Sequence, residues 1–431
     1  KITMANNNDN KVLNVPPKRV QNDACISSAE QKEQGTKAQP KGNVPALRFP
    51  GFTDNWERVR LGNMCEVQMC KRIMASQTNP SVGVPFYKIG TIGGVPDAYI
   101  SYELFEEYKN KYNYPHKGEV LITCAGTVGK CLLYDGEDSY YQDSNIVWLR
   151  NNSTKLDNGF LFNILSNINW SRLNSTTIVR IYNDDLRNLQ FHLPSLEEQK
   201  KIVKSLNAID ERIATQNKII EKLQSLIKGL NDHILKNIEG DQVCFADLGE
   251  AYGGLSGKSG DDFGCGDPFI TYMNVYQNTY ISENDYELVQ IAPDEKQNSV
   301  QYGDALFTLS SETPEEVGMG AVYLGKSQKL YLNSFCFGVH FHGNRVLPQY
   351  IAHFISSTSF RKAIYPLAQG STRFNLQKQD FMRMKFVLPS LEEQKRIATA
   401  LDALYNHLAN EKLLTEQYLL LKQYLLQQMF I

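Results

Sequence analysis

Leu193-Pro194-Ser195-Leu196-Glu197-Glu198-Gln199-Lys200 recurs without a change as Leu388-Pro389-Ser390-Leu391-Glu392-Glu393-Gln394-Lys395, 195 residues further on. Eight identical residues in a chain of 431 mark an internal duplication. Each copy closes a region of mixed composition and opens a long amphipathic one. After the first copy, apolar residues fall at Ile202, Leu206, Ile209, Ile213, Ile220, Leu223, Ile227, Leu230 and Ile234, a heptad seam broken only at Gln216. After the second, Ile397, Leu401, Leu404 and Leu408 repeat it and Glu411 answers Gln216. Leu414, Tyr418, Leu421 and Leu425 then continue it after a register slip. Ser195 with Glu198 three positions on has capping-box spacing. The pattern predicts two helices of about 40 residues, each roughly 60 Å long.

Neither apolar seam is satisfied alone, so the two helices are expected to pair with each other. The link after the first, roughly Glu239 to Val243, is short. The next globule must therefore build where the first helix ends, and the second helix must run back. The expectation is an antiparallel coiled coil with a globule at each end. A polar residue in an apolar seam either fixes register or lies at a wet edge, and Gln216 and Glu411 admit both readings.

The regions before the octapeptides read as mixed α/β domains. Pro85–Ile89, Glu119–Thr123, Cys131–Tyr134 and Asn145–Leu149 have strand character, and Gly159–Leu173 has helical spacing. Pro268-Phe269 answers Pro85-Phe86, Tyr280-Ile281-Ser282 answers Tyr99-Ile100-Ser101, and Gly303–Thr308 answers Gly118–Thr123. Between these anchors the side chains differ, as in two binding modules with different targets on one scaffold. The fold class is thus α+β, with two mixed α/β domains joined by two long helices as an internal repeat. The boundaries fall at a flexible tail 1–44, a first domain 45–193, a helix 194–239, a second domain 240–388 and a second helix 389–431.

Composition is globular, with 42% hydrophobic and 11% aromatic residues. No run reaches the ~18 apolar residues of a membrane helix, and no signal peptide is read at the N-terminus. The eight cysteines form no CxxC pair and read as reduced thiols of a cytoplasmic protein. A net charge of −2 argues against a wholly basic nucleic-acid coat but leaves room for a local basic face.

Three features imitate catalytic or metal sites. Pro96-Asp97 with Glu107-Tyr108-Lys109 mimics a nuclease metal site, but the second copy has Asn278 near the equivalent of Asp97. Gly126-Thr127-Val128-Gly129-Lys130 resembles part of a phosphate loop, yet cysteines stand where a Walker motif needs Gly and Ser or Thr. A β-turn, repeated at Val317-Gly318-Met319-Gly320, is favoured. His340 and His342 share a strand face with His353 nearby, and surface strand is favoured over zinc. No cofactor fingerprint or methyltransferase motif is present, so no cofactor, no metal and no catalytic residue are expected.

The stretch from Pro45 to Trp56 (PALRFPGFTDNW), the doubled LPSLEEQK and the GSTRF…D run from Gly370 to Asp380 resemble the specificity subunit of Type I restriction-modification systems. The first domain departs in its Ser175-Thr176-Thr177…Arg180…Asp185 run. The resemblance implies that each globule is a target recognition domain reading one half of a bipartite, asymmetric double-stranded DNA site. It also implies that the helices set the spacing and dock two methyltransferase subunits. Methylation, translocation and cleavage would lie in those and the restriction subunits. Lys71, Arg72, Lys88, Arg180 and Asn183 are candidate DNA contacts in the first domain. Lys258, Tyr272, Asn274, Arg373 and Asn375 are candidates in the second, with Arg373 foremost. Glu197, Glu198, Glu392 and Glu393 either dock a partner or favour the helix starts. The alternative reading is a coiled-coil scaffold for protein partners without sequence-specific DNA reading.

Overall fold

The computed structural model describes residues 43–143, 145–170, 180–282 and 286–431. All but the last two positions of the 1–44 tail lie outside these residues. The described chain divides into two units, one formed by 43–214 with 416–431, the other by 215–415. The two long helices, Leu196–Lys236 and Leu391–Met429, each contribute a segment to both units.

In the first unit the central antiparallel sheet has the order Cys65–Gln68, Ile146–Asn151, Val120–Thr123, Cys131–Leu133. Its inner strands read as continuous apolar runs because both faces are covered. Val120, Ile122, Val147 and Leu149 pack on the helix Asn158–Asn167, through Phe160, Leu161, Ile164 and Leu165. Leu121, Ile146 and Trp148 face the opposite way, into a core with Phe86, Ile100, Phe105 and Tyr140. Each such side chain withdrawn from water contributes about 1.5–3 kcal/mol. The helix expected to reach Leu173 ends at Asn167. Trp170 turns back there and its Nε1 donates to the Leu165 carbonyl (3.0 Å), satisfying a last-turn acceptor that a further turn would have filled.

The second unit repeats the plan. Its five-stranded sheet runs Gly249–Gly253, Cys336–Phe341, Ala305–Thr308, Gly320–Tyr323, Tyr280–Ile281. Phe307 packs in a phenylalanine cluster with Phe245, Phe337, Phe360 and Phe381, the Phe307 and Phe381 rings 4.6 Å apart. Two of the three anchors matched in sequence are matched in pairing; the third is not, since Tyr99–Ile100 pairs antiparallel with Thr78–Asn79 and with Val84 and Pro85, whereas Tyr280–Ile281 pairs in parallel with Val322 and Tyr323. Phe86 pairs in parallel with Tyr140, and Phe269 with Tyr331. Gly118 and Gly303 both take positive φ (86° and 88°) just before the corresponding strands. The strand that precedes each octapeptide pairs antiparallel with the first strand of its own unit, Gln190–Leu193 on Glu57–Arg60 and Lys385–Leu388 on Asp241–Cys244. Each domain therefore begins and ends beside a helix start.

Within each unit the helices pair antiparallel. In the first, Ile202 and Leu206 share a core with Met429, and Lys422 Nζ donates to Asp210 (2.6 Å). In the second, Leu230 and Ile234 pack on the core that holds Leu401 and Ile397. Gln216 is buried and its Nε2 donates to Glu411, so the break in the apolar seam is a cross-helix hydrogen bond rather than a wet edge. No helix of the described residues is long and apolar enough to cross a membrane. Burial pushes the Cys65, Cys70 and Cys131 thiols up to about 12, which leaves them protonated and inert near neutral pH.

Candidate nucleic-acid interface

The octapeptide does the same mechanical work twice. Gln199 is fully buried. Its Nε2 donates to the Lys155 (2.8 Å) and Pro194 (2.9 Å) carbonyls, and its Oε1 accepts from Asp157 N (2.8 Å). Gln394 makes the equivalent bonds to Arg345 O (2.9 Å), Pro389 O (2.9 Å) and Leu347 N (2.8 Å). One amide thus pins the helix start to the loop that leads into each domain's core helix. Ser195 and Ser390 cap the helices, their hydroxyls accepting from Glu198 N and Glu393 N.

The glutamates divide. Glu197 and Glu392 are exposed. Glu198, offered on spacing as a capping or docking carboxylate, is 1% exposed and makes a two-pronged pair with Arg48 (2.6 and 2.8 Å) while accepting from Trp56 Nε1 (3.2 Å). A carboxylate so enclosed has no face for a partner. Glu393 instead pairs with exposed Arg396 (2.7 Å). The difference comes from the stretch from Pro45 to Trp56, whose Leu47 N also donates to Gln428 O at the end of the second long helix (2.9 Å).

The look-alike motifs resolve into local structure. Gly126 and Gly129 (φ 67° and 82°) shape a turn in which Gly129 N donates to Thr123 O (2.8 Å), and Lys130 Nζ donates to the Ile92 carbonyl. Gly318 repeats the turn on Thr308 O (3.1 Å). Asp97 pairs with Lys88 (3.0 Å), while Lys109 pairs with Asp138 (2.8 Å). His340 Nδ1 bonds Asp304 (2.7 Å), His342 faces Glu250 (3.5 Å), and His353 Nε2 bonds Asp402 (2.7 Å). The three imidazoles therefore go to three different carboxylates.

Several of the ten DNA-contact candidates are engaged within the fold. Asn274 is buried and its Oδ1 accepts from Thr271 N (2.8 Å) at a helix start. Tyr272 OH donates to Ser310 O (2.9 Å). Arg72 pairs with Asp143 (2.7 Å), and Lys88 with Asp97. Lys71 lies over the Tyr112 ring (5.4 Å), and Asn183 opens the helix Asn183–Asn188. Lys258 is nearly buried against Glu295, whose carboxyl it holds down at about 2, its side-chain hydrogen bond being the largest cause. The stability carried by that ionised carboxylate is complete above the ordinary pKa of about 4.5 and is lost as pH falls through about 2. Lys258→Ala is expected to return the Glu295 pKa toward 4.5, read by carboxyl NMR titration; an unmoved value would show that Lys258 is not the cause.

Arg180, Arg373 and Asn375 come to corresponding edges of the two units. In the second unit a backbone ladder links three segments: Leu309 N donates to Phe335 O (2.8 Å), and Leu376 N to Leu309 O (2.8 Å). In the first, Cys124 N donates to Asn145 O (2.7 Å), and Ile181 N to Cys124 O (2.9 Å). Beside these ladders lie exposed Arg373, over the Phe335 ring (5.3 Å), with exposed Asn375 on the strand Phe374–Leu376, and Arg180, over the Tyr182 ring (5.9 Å). Sequence reading passed over Phe335 and Tyr182, and it placed Asn145 inside a strand that begins only at Ile146. Isolated residues between strands give no periodic signal, and only the ladder shows that Asn145 and Phe335 correspond.

The family model described as "Type I restriction modification DNA specificity domain" matches residues 53–225 and again 258–417. A Haemophilus influenzae chain assigned as a type I restriction enzyme specificity subunit is 48% identical over 152 residues, covering 35% of this chain and 40% of that one. The type I restriction enzyme MjaVIII specificity subunit of Methanocaldococcus jannaschii is 22% identical over 395 residues, 84% of this chain and 88% of its own. Among solved structures, the S subunit of a type I restriction-modification system from M. genitalium shares the fold. Its TM-score is 0.54 at 15% identity, covering 90% of this chain and 99% of that one.

Proposed function

We propose, from the premise that this chain belongs to the type I restriction modification DNA specificity family, that its two units are recognition domains for the two halves of one asymmetric DNA site. The observation that carries this is the pair of backbone ladders, which present Asn145 with Arg180 in one unit and Phe335 with Asn375 in the other. Identical scaffolds with identical edges would call for a palindrome, whereas identical scaffolds with different edges suit two unlike half-sites. Phosphate contacts from lysines and arginines would set position, and the edges would supply sequence preference. The ligand is double-stranded DNA, the setting cytoplasmic.

Chemistry is assigned to partners. Two methyltransferase subunits would dock on the long helices, and restriction subunits would join through them. Exposed Glu197 and Glu392 are two repeated docking positions, and Leu420, Leu421 and Tyr424 are exposed about one face of the second helix, Leu421 thus lying outside the seam expected of it. Reversing both glutamates to Lys is expected to slow methyltransferase capture and to change its salt dependence, as charges at an interface rim do. Unchanged capture would remove them from the dock.

The deciding experiment is to assemble the chain with its methyltransferase subunit and map methylated adenines and protected DNA. Methylation at one two-part sequence, with protection of both halves, is the expected result. A complex that binds without sequence preference would favour the scaffold reading. The helices would also act as a ruler. Deleting residues 213–219 with 408–414 shortens the pair by about 10 Å, roughly three base pairs. The mapped gap is expected to change or binding to disappear; a conserved gap would refute the ruler.

A further inference from the structure

We infer that Phe335 contacts bases in the half-site read by the second unit, acting with the Arg373 guanidinium that it supports. This rests on the recognition reading above and names its residues.

Phe335 stands out from its own sequence neighbourhood. Leu330, Leu332, Cys336 and Phe337 are fully buried, while Phe335 is 52% exposed. Nothing in the core accounts for a phenylalanine there, and a polar residue would meet water at lower cost. Its backbone is nonetheless fixed on both sides. Phe335 N donates to Asn333 Oδ1 (2.9 Å), and its carbonyl accepts from Leu309 N (2.8 Å). The exposed ring is therefore presented by a rigid turn.

The ring carries Arg373. The guanidinium carbon lies 5.3 Å from the ring centroid, and no carboxylate is paired with it among the described residues. An aromatic face steadies a guanidinium without consuming its N–H donors. The donors stay available as a two-pronged edge, the group that matches guanine O6 and N7 in the major groove. Asn375, two residues on, is exposed on a strand paired to Ser310, so the loop that holds Arg373 is anchored to the same ladder as Phe335. An apolar ring beside a guanine-reading arginine suits an adjoining thymine, whose 5-methyl group is the apolar feature of that groove. The ligand class is a guanine next to a thymine in duplex DNA. In the first unit Asn145 holds the ladder position of Phe335, an amide suited to a different base.

The test uses the full chain assembled with its methyltransferase subunit and the duplex identified by methylation mapping. Phe335→Ser is expected to lower affinity for that duplex about 5- to 100-fold, the range of one specific base contact. Discrimination should be lost at one or two positions of one half-site only, while binding to unrelated duplex stays unchanged. Replacing the adjoining thymine with uracil, which removes only the methyl group, should reproduce the loss in the parent protein and add nothing in Phe335→Ser. Asn145→Ala should alter the other half-site. Hydrogen exchange of the Leu309, Cys336 and Leu376 amides controls for folding. If the parent complex discriminates and Phe335→Ser discriminates equally, or loses both halves alike with the amides still protected, this inference falls and the recognition reading stands. If the parent complex shows no preference at all, the recognition reading falls first.

Discussion

Glu198→Ala is expected to lower the stability of the first unit by about 3–5 kcal/mol, because it strands the Arg48 charge in a site with little access to water. The Arg48 side chain is 14% exposed and Glu198 is its hydrogen-bonded counter-ion, which holds the guanidinium pKa above its ordinary value. The substitution also removes the acceptor for the buried Trp56 indole. The identical residue in the second octapeptide should behave differently. Glu393 pairs with Arg396, an exposed partner three residues along the same helix, and Glu393→Ala is expected to change stability by about 0.5 kcal/mol or less. The measurement is convenient, since Trp56, Trp148 and Trp170 all lie in the first unit and are all buried. Tryptophan fluorescence in urea should show a midpoint lowered by about 1–2 M for Glu198→Ala. Equal effects of the two substitutions would contradict the assigned geometry.

Gln199→Ala and Gln394→Ala should have matched effects, each costing its own unit about 2–4 kcal/mol. Each truncation leaves two carbonyls and one backbone N–H without the partner they have now, and unsatisfied buried groups cost about 1–3 kcal/mol apiece before water relaxes in. The sites are alike bond for bond, down to the proline carbonyl at the start of each octapeptide. Gln199→Ala should shift the tryptophan transition. Gln394→Ala should leave it unmoved and instead raise hydrogen exchange around Leu347 and the start of the second long helix. A Gln199→Glu variant tests the directionality of the site, since a carboxylate cannot donate to Lys155 O and Pro194 O. If it proved as stable as the parent, those donations would count for little.

Much of the architecture was readable because duplication doubles every signal. The heptad seam, the cap at Ser195 and the corresponding strands each occur twice, and their agreement overrides local ambiguity. The helix after Gly159 was read too long because its end depends on the Trp170 indole folding back on Leu165, which periodicity does not register. The candidate site was far less legible. Lys258, Arg72 and Asn274 are as polar in sequence as Arg373, yet the first two meet carboxylates and the third caps a helix. Charge in a list does not say which cation is already paired.

By itself, the chain's sequence determined the repeat, the α+β domains, the two long helices and their antiparallel sense, because hydrophobic period and linker length are local properties that constrain topology. Tertiary structure decided what the repeated octapeptide means in each place. The same Glu is a buried counter-ion at 198 and a surface residue at 393, because Arg48 and Trp56 meet one copy only. It also decided that Phe335 and Asn145 are counterparts, since backbone hydrogen bonds between segments distant in sequence, rather than residue identity, put them at the same edge.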